Sequence, residues 1–369
     1  MRRRLETESS DMAFVDLIPI GAYKRLENRA GRLKAILEPV KKLTGGRSAF
    51  PLAVIAHLTY RCNLDCSMCC QHIPEYAAGL PGFPIPGQKS REIPFERWIG
   101  IIDDIADSFP IRPFFHFGGG EPFLFPRAIE LLAYAKKRGF SVSAITNAWL
   151  LESIAPKLVE IGVNKINVSI DGSEAIHDSV RRQKGSFRRA VDGIRALRAA
   201  REKAGSKTPY ITINCTITRE NHAALEEMLA VREESGADHL TFQHLVFLDQ
   251  ERELAAGIDV RKILDTLTRL ERERPEITVY PNVPKQDWPL FYEGNATGLG
   301  NGCGWNWVGL RLHPNGDVCP CRNKVLGNVA DPSVSIGDLW NGPEYRKFRS
   351  ELAATGNYEE CGRCTHRLF

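Results

Sequence analysis

Three cysteines, Cys62, Cys66 and Cys69, stand in the run Arg61-Cys62-Asn63-Leu64-Asp65-Cys66-Ser67-Met68-Cys69, a C-x3-C-x2-C spacing directly after the apolar stretch Ala53 to Leu58. Three thiolates in one loop suit three corners of a cubane iron–sulfur cluster, whose usual complement is four Cys. The fourth iron is then left for another ligand, in the way that an open position separates catalytic from structural metal sites. Structural zinc is the alternative, because its ligands also come in closely spaced Cys pairs. After the next apolar stretch, Pro113 to Phe117, comes Gly118-Gly119-Gly120-Glu121-Pro122. Bare backbone at a strand end lets a ligand approach closely, and Glu121 offers a carboxylate to a cationic amino group. The turn lies one strand, loop and helix after the cysteine run, and the two together favour the cluster over zinc.

With these motifs the chain resembles the radical S-adenosylmethionine (radical SAM) enzymes. The resemblance implies a [4Fe–4S] cluster on Cys62, Cys66 and Cys69, with SAM chelating its unique iron through the methionine amino and carboxylate groups. It also implies that Gly119, Gly120 and Glu121 bind the SAM amino group. Met68 departs from the family, which usually has an aromatic residue there; methionine is apolar and adaptable enough to cover the site. The segment Val168-Ser169-Ile170-Asp171-Gly172 with His177-Asp178-Ser179-Val180-Arg181 resembles the S-[IL]-D-G…H-D-x-x-R stretch of the subgroup with C-terminal cysteine domains. On that likeness Ser169 faces the SAM ribose and Arg181 its carboxylate, with Arg182 the adjacent alternative. Asn147 is a further candidate for the ribose or the methionine end. A guanidinium fork suits a carboxylate, and a hydroxyl suits a ribose. Asp171 and Gly172 also read as an ordinary turn, and His177 as structural.

The tail carries Cys303, Cys319, Cys321, Cys361 and Cys364 in a C-x12-G-x4-C pattern followed by C-x2-C. It resembles SPASM and twitch extensions, which hold auxiliary [4Fe–4S] clusters. The count suits one such cluster on Cys303, Cys321, Cys361 and Cys364, with Cys319 the competitor of Cys321 and zinc the alternative metal. Cys215 reads as a buried core thiol.

These residues need a frame. Apolar or β-branched strands read at 53–60, 113–117, 140–146, 165–170, 210–217 and 239–247, with helical patterns such as 187–203 and 221–235 between them. Strict alternation implies parallel strands with right-handed crossovers. The expected fold is α/β, a partial (β/α)6 TIM-like radical SAM barrel with an N-terminal helical segment and a small cysteine-rich SPASM/twitch domain. The expected boundaries are 1–50 helical extension, 51–272 radical SAM core, 273–300 linker and 301–369 auxiliary domain. Functional residues of such barrels sit at the C-terminal strand ends, where Cys62, Gly119, Asn147 and Ser169 fall.

The 369 residues, 43% hydrophobic and 25% charged, are ordinary for a globular protein. A net charge of +4 is too small to imply nucleic acid. No apolar run nears the ~20 residues of a membrane span, so a cytoplasmic location is expected. The basic amphipathic pattern around Tyr23 to Leu37 reads as a helix packed on the barrel in preference to one lying on a membrane surface. The chemistry implied by the resemblance is reductive SAM cleavage to a 5′-deoxyadenosyl radical, with a one-electron donor such as ferredoxin or flavodoxin. Hydrogen abstraction from a small polar metabolite is the first reading, with oxidation through the auxiliary cluster or another C–H change such as epimerisation. A ribosomal-peptide maturase is the second, and a non-catalytic zinc protein the third. Arg322, where sulfatase maturases place an Asp base, speaks against that role.

Overall fold

A computed structural model describes residues 44–69, 71, 92–245, 256–280, 283–293, 303–321, 324–356 and 358. The N-terminal helix pattern, Cys361 and Cys364 lie outside the described residues.

Six parallel strands carry the fold: β1 (Ala53–Thr59), β2 (Phe114–Gly119), β3 (Val142–Thr146), β4 (Lys165–Ser169), β5 (Tyr210–Ile217) and β6 (His239–His244). Between them run α1 (Phe95–Ser108), α2 (Ala128–Lys137), α3 (Leu151–Ile161), α4 (Glu174–Arg181), α5 (Ser186–Lys203) and α6 (Glu227–Ser235). This is the expected partial (β/α)6 barrel. Each expected strand lies within a few residues of an observed one.

The strands bury one face throughout and leave most of their polar residues on the other. Residues such as Val54, Phe115, Ala144, Val168, Ile213 and Phe242 are fully buried against the helices. Their neighbours His57, His116, Ser143, Asn167 and Asn214 take the opposite, inner face, because side chains alternate across a strand. The helices answer with stripes of matching period. In α3 the buried set is Leu151, Ala155, Leu158 and Val159, and in α5 it includes Phe187, Ala190, Ile194 and Leu197. Gly193 of α5 lets the two helices close up, since a Cβ there would sit 2.9 Å from Leu151 Cβ.

After α7 (Val260–Glu273), the stretch 273–300, expected as a linker, contributes β7 (Ile277–Tyr280) and α8 (Trp288–Glu293). β7 adds a parallel strand beside β6. Its four residues stand between Pro275 and Pro281, and this proline punctuation hides so short a strand in the sequence.

The tail joins the same sheet from the other side. β8 (Gly309–Leu312) pairs parallel to β1, followed by β9 (Asp317–Cys319), β10 (Gly327–Asn328), α9 (Ile336–Trp340) and α10 (Pro343–Thr355). The sheet order is therefore β10-β9-β8-β1-β2-β3-β4-β5-β6-β7. Buried Arg349 of α10 ties the tail together. It donates to Asn306 O at 2.7 Å, Trp340 O at 2.6 Å and Gly46 O at 3.3 Å, and lies over the Trp340 ring. Among the described residues no helix is long and apolar enough to cross a membrane.

Replacing Arg349 by Met leaves three buried carbonyls without their donor. At about 1–3 kcal/mol for each unsatisfied group, the folded state should lose roughly 3 kcal/mol or more, read as a lowered urea midpoint at unchanged slope.

Candidate SAM and iron–sulfur sites

The cysteine loop leaves β1 and is fastened at both ends by backbone. Gly120 N donates to Thr59 O at 2.7 Å and Glu121 N to Arg61 O at 2.8 Å, which sets the loop against the turn after β2. Ser67 N donates to Val180 O at 2.8 Å, which ties the middle of the loop to α4. Gly119 has φ +117, and a Cβ there would collide with Thr59 O; a Cβ on Gly120 would collide with Arg61 O. The sequence reading ascribed these glycines to the approach of a ligand. The structure shows that their smallness is needed by the cysteine loop itself, whose carbonyls occupy the space a side chain would fill.

Glu121 is fully buried. Its Oε1 accepts from Thr146 Oγ1 at 2.9 Å and Phe123 N at 3.3 Å, and its Oε2 from Asn147 N at 2.8 Å. Burial raises its pKa to about 7, with those donors pulling the other way. Sequence reasoning missed Thr146, although its position beside Asn147 at the end of β3 was in view.

Asn147 turns its side chain to the cysteine loop. Nδ2 donates to Asn63 Oδ1 at 2.9 Å and lies 3.8 Å from Cys62 Sγ, while Oδ1 accepts from Trp149 N at 3.0 Å. Arg181, also buried, is held by Asp171. Nε and Nη2 stand 2.7 and 2.6 Å from Asp171 Oδ2, and Nη1 lies 3.6 Å from Cys66 Sγ. Burial opposes the guanidinium charge, yet Asp171 and Cys66 hold it above its ordinary range. The fork expected to face a ligand carboxylate is thus largely taken up by Asp171. Asp171 is itself fixed from two sides: its Oδ1 accepts from Thr216 N at 3.0 Å, and its backbone N donates to His177 Nδ1 at 3.1 Å. Asn221, which sequence reading passed over, donates to both Asp171 O and Thr216 O, at 2.8 and 2.7 Å. Its only sequence signal was a polar residue just beyond a strand end. Ser169 ends β4 half-buried, with no side-chain hydrogen bond among the described residues. Beside the loop, Ser67, Met68, Thr218, Arg219, Glu220 and Leu245 line a small recess.

The donor set around the three thiols suits an anionic cluster. Two sulfurs face N–H groups, one of them on a buried cation, and hydrogen bonds to sulfur are among the features that set cluster potentials. Burial raises the pKa of the Cys62 thiol, so binding iron there releases a proton.

In the tail, Cys303 and Cys321 share one apolar cluster with Trp305, Trp307, Phe348 and Leu352. Asn306 Nδ2 lies 3.5 Å from Cys303 Sγ. Cys319 is absent from that cluster; it pairs in register with Arg311, is fully buried, and burial pushes its thiol up to about 12.

Residues 57–231 match the radical SAM superfamily, and residues 303–365 match the SPASM iron–sulfur cluster-binding domain. The chain belongs to the radical SAM superfamily and carries a C-terminal SPASM domain. Its cofactors are accordingly SAM, the [4Fe–4S] cluster that binds SAM, and auxiliary iron–sulfur. It is 28% identical over 312 residues to PqqA peptide cyclase of Gluconobacter oxydans, spanning 81% of this chain and 79% of that one. It is 30% identical over 321 residues to Fe-coproporphyrin III synthase of Methanosarcina barkeri, spanning 78% and 73%. The fold is similar to that of Streptococcus suis SuiB bound to precursor peptide SuiA, with a TM-score of 0.61 at 16% identity over 86% of this chain and 71% of that one.

Glu121 makes the fold sensitive to pH. A carboxyl whose pKa is raised in the folded state contributes stability that is complete below its unfolded value, 4.5, and is lost as pH rises through about 7. The loss amounts to about 3 kcal/mol at 1.36 kcal/mol per unit. His116 and His177, both lowered to about 4 by burial, act in the opposite sense. The expected outcome therefore concerns a difference: in cofactor-free protein, Glu121→Gln should gain stability relative to wild type as pH is raised from 4.5 to 7.5, measured by urea unfolding.

Proposed function

We propose that this chain is a radical SAM enzyme that acts on a ribosomally made peptide and forms a new bond at an unactivated carbon. The similarity to PqqA peptide cyclase over most of both chains carries the reading. From sequence alone a small polar metabolite came first and a peptide second; the relatives reverse that order. A tetrapyrrole substrate is the second reading, favoured by the likeness to Fe-coproporphyrin III synthase.

In this reading Cys62, Cys66 and Cys69 hold the first cluster. When bound, cluster and SAM supply a 5′-deoxyadenosyl radical that takes a hydrogen atom from the substrate. The chain's own residues bind and orient. Glu121 accepts from the SAM amino group at the acceptor capacity left by Thr146, Phe123 and Asn147. Gly119 and Gly120 keep the turn pressed on the cysteine loop. Ser169 offers its hydroxyl to the ribose. Arg181 and Asn147 direct N–H groups at Cys66 and Cys62, with Arg181 held in place by Asp171. Cys303, Cys321, Cys361 and Cys364 hold an auxiliary cluster. An auxiliary cluster held there would supply an acceptor for the electron released on bond formation, whose balance is one hydrogen atom and one proton lost from the substrate together with that electron. A ferredoxin- or flavodoxin-like donor supplies the electron for SAM cleavage.

Anaerobically reconstituted enzyme, given SAM, dithionite and any short peptide encoded beside its gene, should make peptide-dependent 5′-deoxyadenosine and remove a hydrogen pair from the peptide, read by mass spectrometry. Unchanged peptides, with conversion of an iron porphyrin instead, would establish the second reading. Replacing Cys62, Cys66 and Cys69 together by Ala should remove about four irons, one cubane's content, and abolish 5′-deoxyadenosine formation.

The tail makes its own demand. Cys321→Ala should lose about four further irons, whereas Cys319→Ala should keep nearly all of them. Equal losses from both variants would place Cys319 among the ligands.

A further inference from the structure

The inner face of the barrel carries polar groups, and among the described residues one of them lacks a counter-charge. In β4, Ile166 and Val168 are fully buried toward the helices, so Lys165, Asn167 and Ser169 take the inner face. Lys165 lies in register with Ser143 of β3 on one side and Tyr210 of β5 on the other. Beyond Ser143 stands His116, whose Nδ1 is 2.7 Å from Ser143 Oγ. Among the described residues Lys165 has no ion pair and no side-chain hydrogen bond. No Asp or Glu occurs anywhere in β2 to β6. The acids nearest in sequence to the strand starts are already matched: Asp238 pairs with Arg201 and Glu276 with Arg274.

A second group on the same face is unsatisfied. Thr212 of β5 lies in register with Asn167 and is fully buried, and its Oγ1 has no partner among the described residues. Lys165 and Thr212 are diagonal neighbours, one strand across and two residues along, about 8 Å apart at Cα from the strand spacings. A lysine chain covers that distance easily. An orphan hydroxyl and a cation without a counter-charge on one face of the sheet cost stability in the ligand-free protein. One ligand meets both needs, an anion that accepts from both groups.

We infer that the inner face of the barrel holds a subsite for a substrate carboxylate, built from the Lys165 ammonium and the Thr212 hydroxyl with Asn167 beside them. Burial lowers Lys165 to about 8, which leaves it charged at neutral pH. It also lowers His116 to about 4, so that ring is neutral and does not compete for the anion. The subsite lies four residues below Ser169, about 13 Å along the strand at ~3.3 Å per residue. A substrate that reaches both ends carries its carboxylate well away from the reacting carbon. An acidic side chain or terminus of a peptide satisfies this, and so does a propionate of a tetrapyrrole; a compact cyclitol does not. The inference rests on the reading of the strand end at Ser169 as the SAM end of the barrel.

The test uses the reconstituted full-length protein without SAM or reductant. It is titrated with a Glu-containing tripeptide and its Gln counterpart, and with coproporphyrin and its methyl ester, while thermal unfolding is followed. One acid should stabilise saturably up to about 10 mM, the range in which a millimolar Kd registers, and its neutral partner should not. The acid that does so identifies the source of the carboxylate. Lys165→Met should weaken that binding roughly tenfold or more and Thr212→Val by roughly fivefold, whereas Lys165→Arg should retain it within a few-fold. Ligand-free Lys165→Met should also unfold at a higher temperature than wild type, because an unpaired buried charge is gone. Equal stabilisation by acids and neutral partners, none by either acid, or full retention in Lys165→Met would overturn the subsite. A lower unfolding temperature for ligand-free Lys165→Met would do so too, by making the lysine structural. Failure of this titration leaves the peptide reading standing, and failure of peptide modification with the subsite intact overturns that reading alone.

Discussion

Two backbone hydrogen bonds, Gly120 N to Thr59 O and Glu121 N to Arg61 O, hold the loop after the first strand against the turn after the second. Everything at the mouth of the barrel is arranged around that joint. It forms only because neither Gly119 nor Gly120 has a side chain, since the space a Cβ would occupy belongs to the carbonyls of Thr59 and Arg61. The joint delivers Glu121 inward to the end of β3, where Thr146 and Asn147 grip it. Asn147 then reaches back with its amide toward Cys62, and the ring of contacts closes on the loop where it began.

The far side of the cysteine loop rests on charge. A guanidinium and a carboxylate buried side by side hold together only when geometry and further hydrogen bonds repay their desolvation. Arg181 and Asp171 meet that condition through a two-nitrogen contact and the backbone N–H of Thr216. The pair leaves one guanidinium nitrogen for Cys66. A cation fixed beside a sulfur supplies an N–H donor to an anionic cluster held there, and hydrogen bonds to sulfur are among the features that set cluster potentials. Desolvation acts against ionisation of Glu121, where burial outweighs three donors. The two carboxylates of the mouth, similar in burial, differ in their direct partners: the Arg181 guanidinium for Asp171, and a hydroxyl with two backbone N–H groups for Glu121.

The barrel reads as two chemistries on one sheet. The outer face is a continuous apolar layer under helices. The inner face mixes apolar groups such as Ile55, Phe114 and Ile145 with hydroxyls, amides, imidazoles and a lysine, and β2 to β6 contribute no carboxylate to it. The tail extends the sheet through β8 beside β1, so Cys303 and Cys321, the proposed auxiliary-cluster ligands, lie in an apolar cluster against Ala53 and Ile55 of β1. The SPASM domain and the barrel thus share a strand neighbour, and Arg349 locks the tail to the segment before β1.

Alternation of apolar strands with helical stripes was enough, by itself, to determine the six-stranded barrel, because both periods are local properties of the chain. The spacing of Cys62, Cys66 and Cys69 and the Gly-Gly-Glu-Pro turn determined the cofactor class for the same reason, as each motif is one short loop. Tertiary structure decided the partners. That Arg181 meets Asp171, that Glu121 meets Thr146, that Asn221 bridges two strand ends and that Cys321 shares a cluster with Cys303 while Cys319 does not are contacts between residues distant in the chain or on opposite faces of an element. The strand β7 was also hidden, since four residues between prolines carry too little periodicity to be read. Lys165 shows the limit most plainly: its charge is visible in the sequence, but that it meets no counter-charge among the described residues emerges only once five strands are laid side by side.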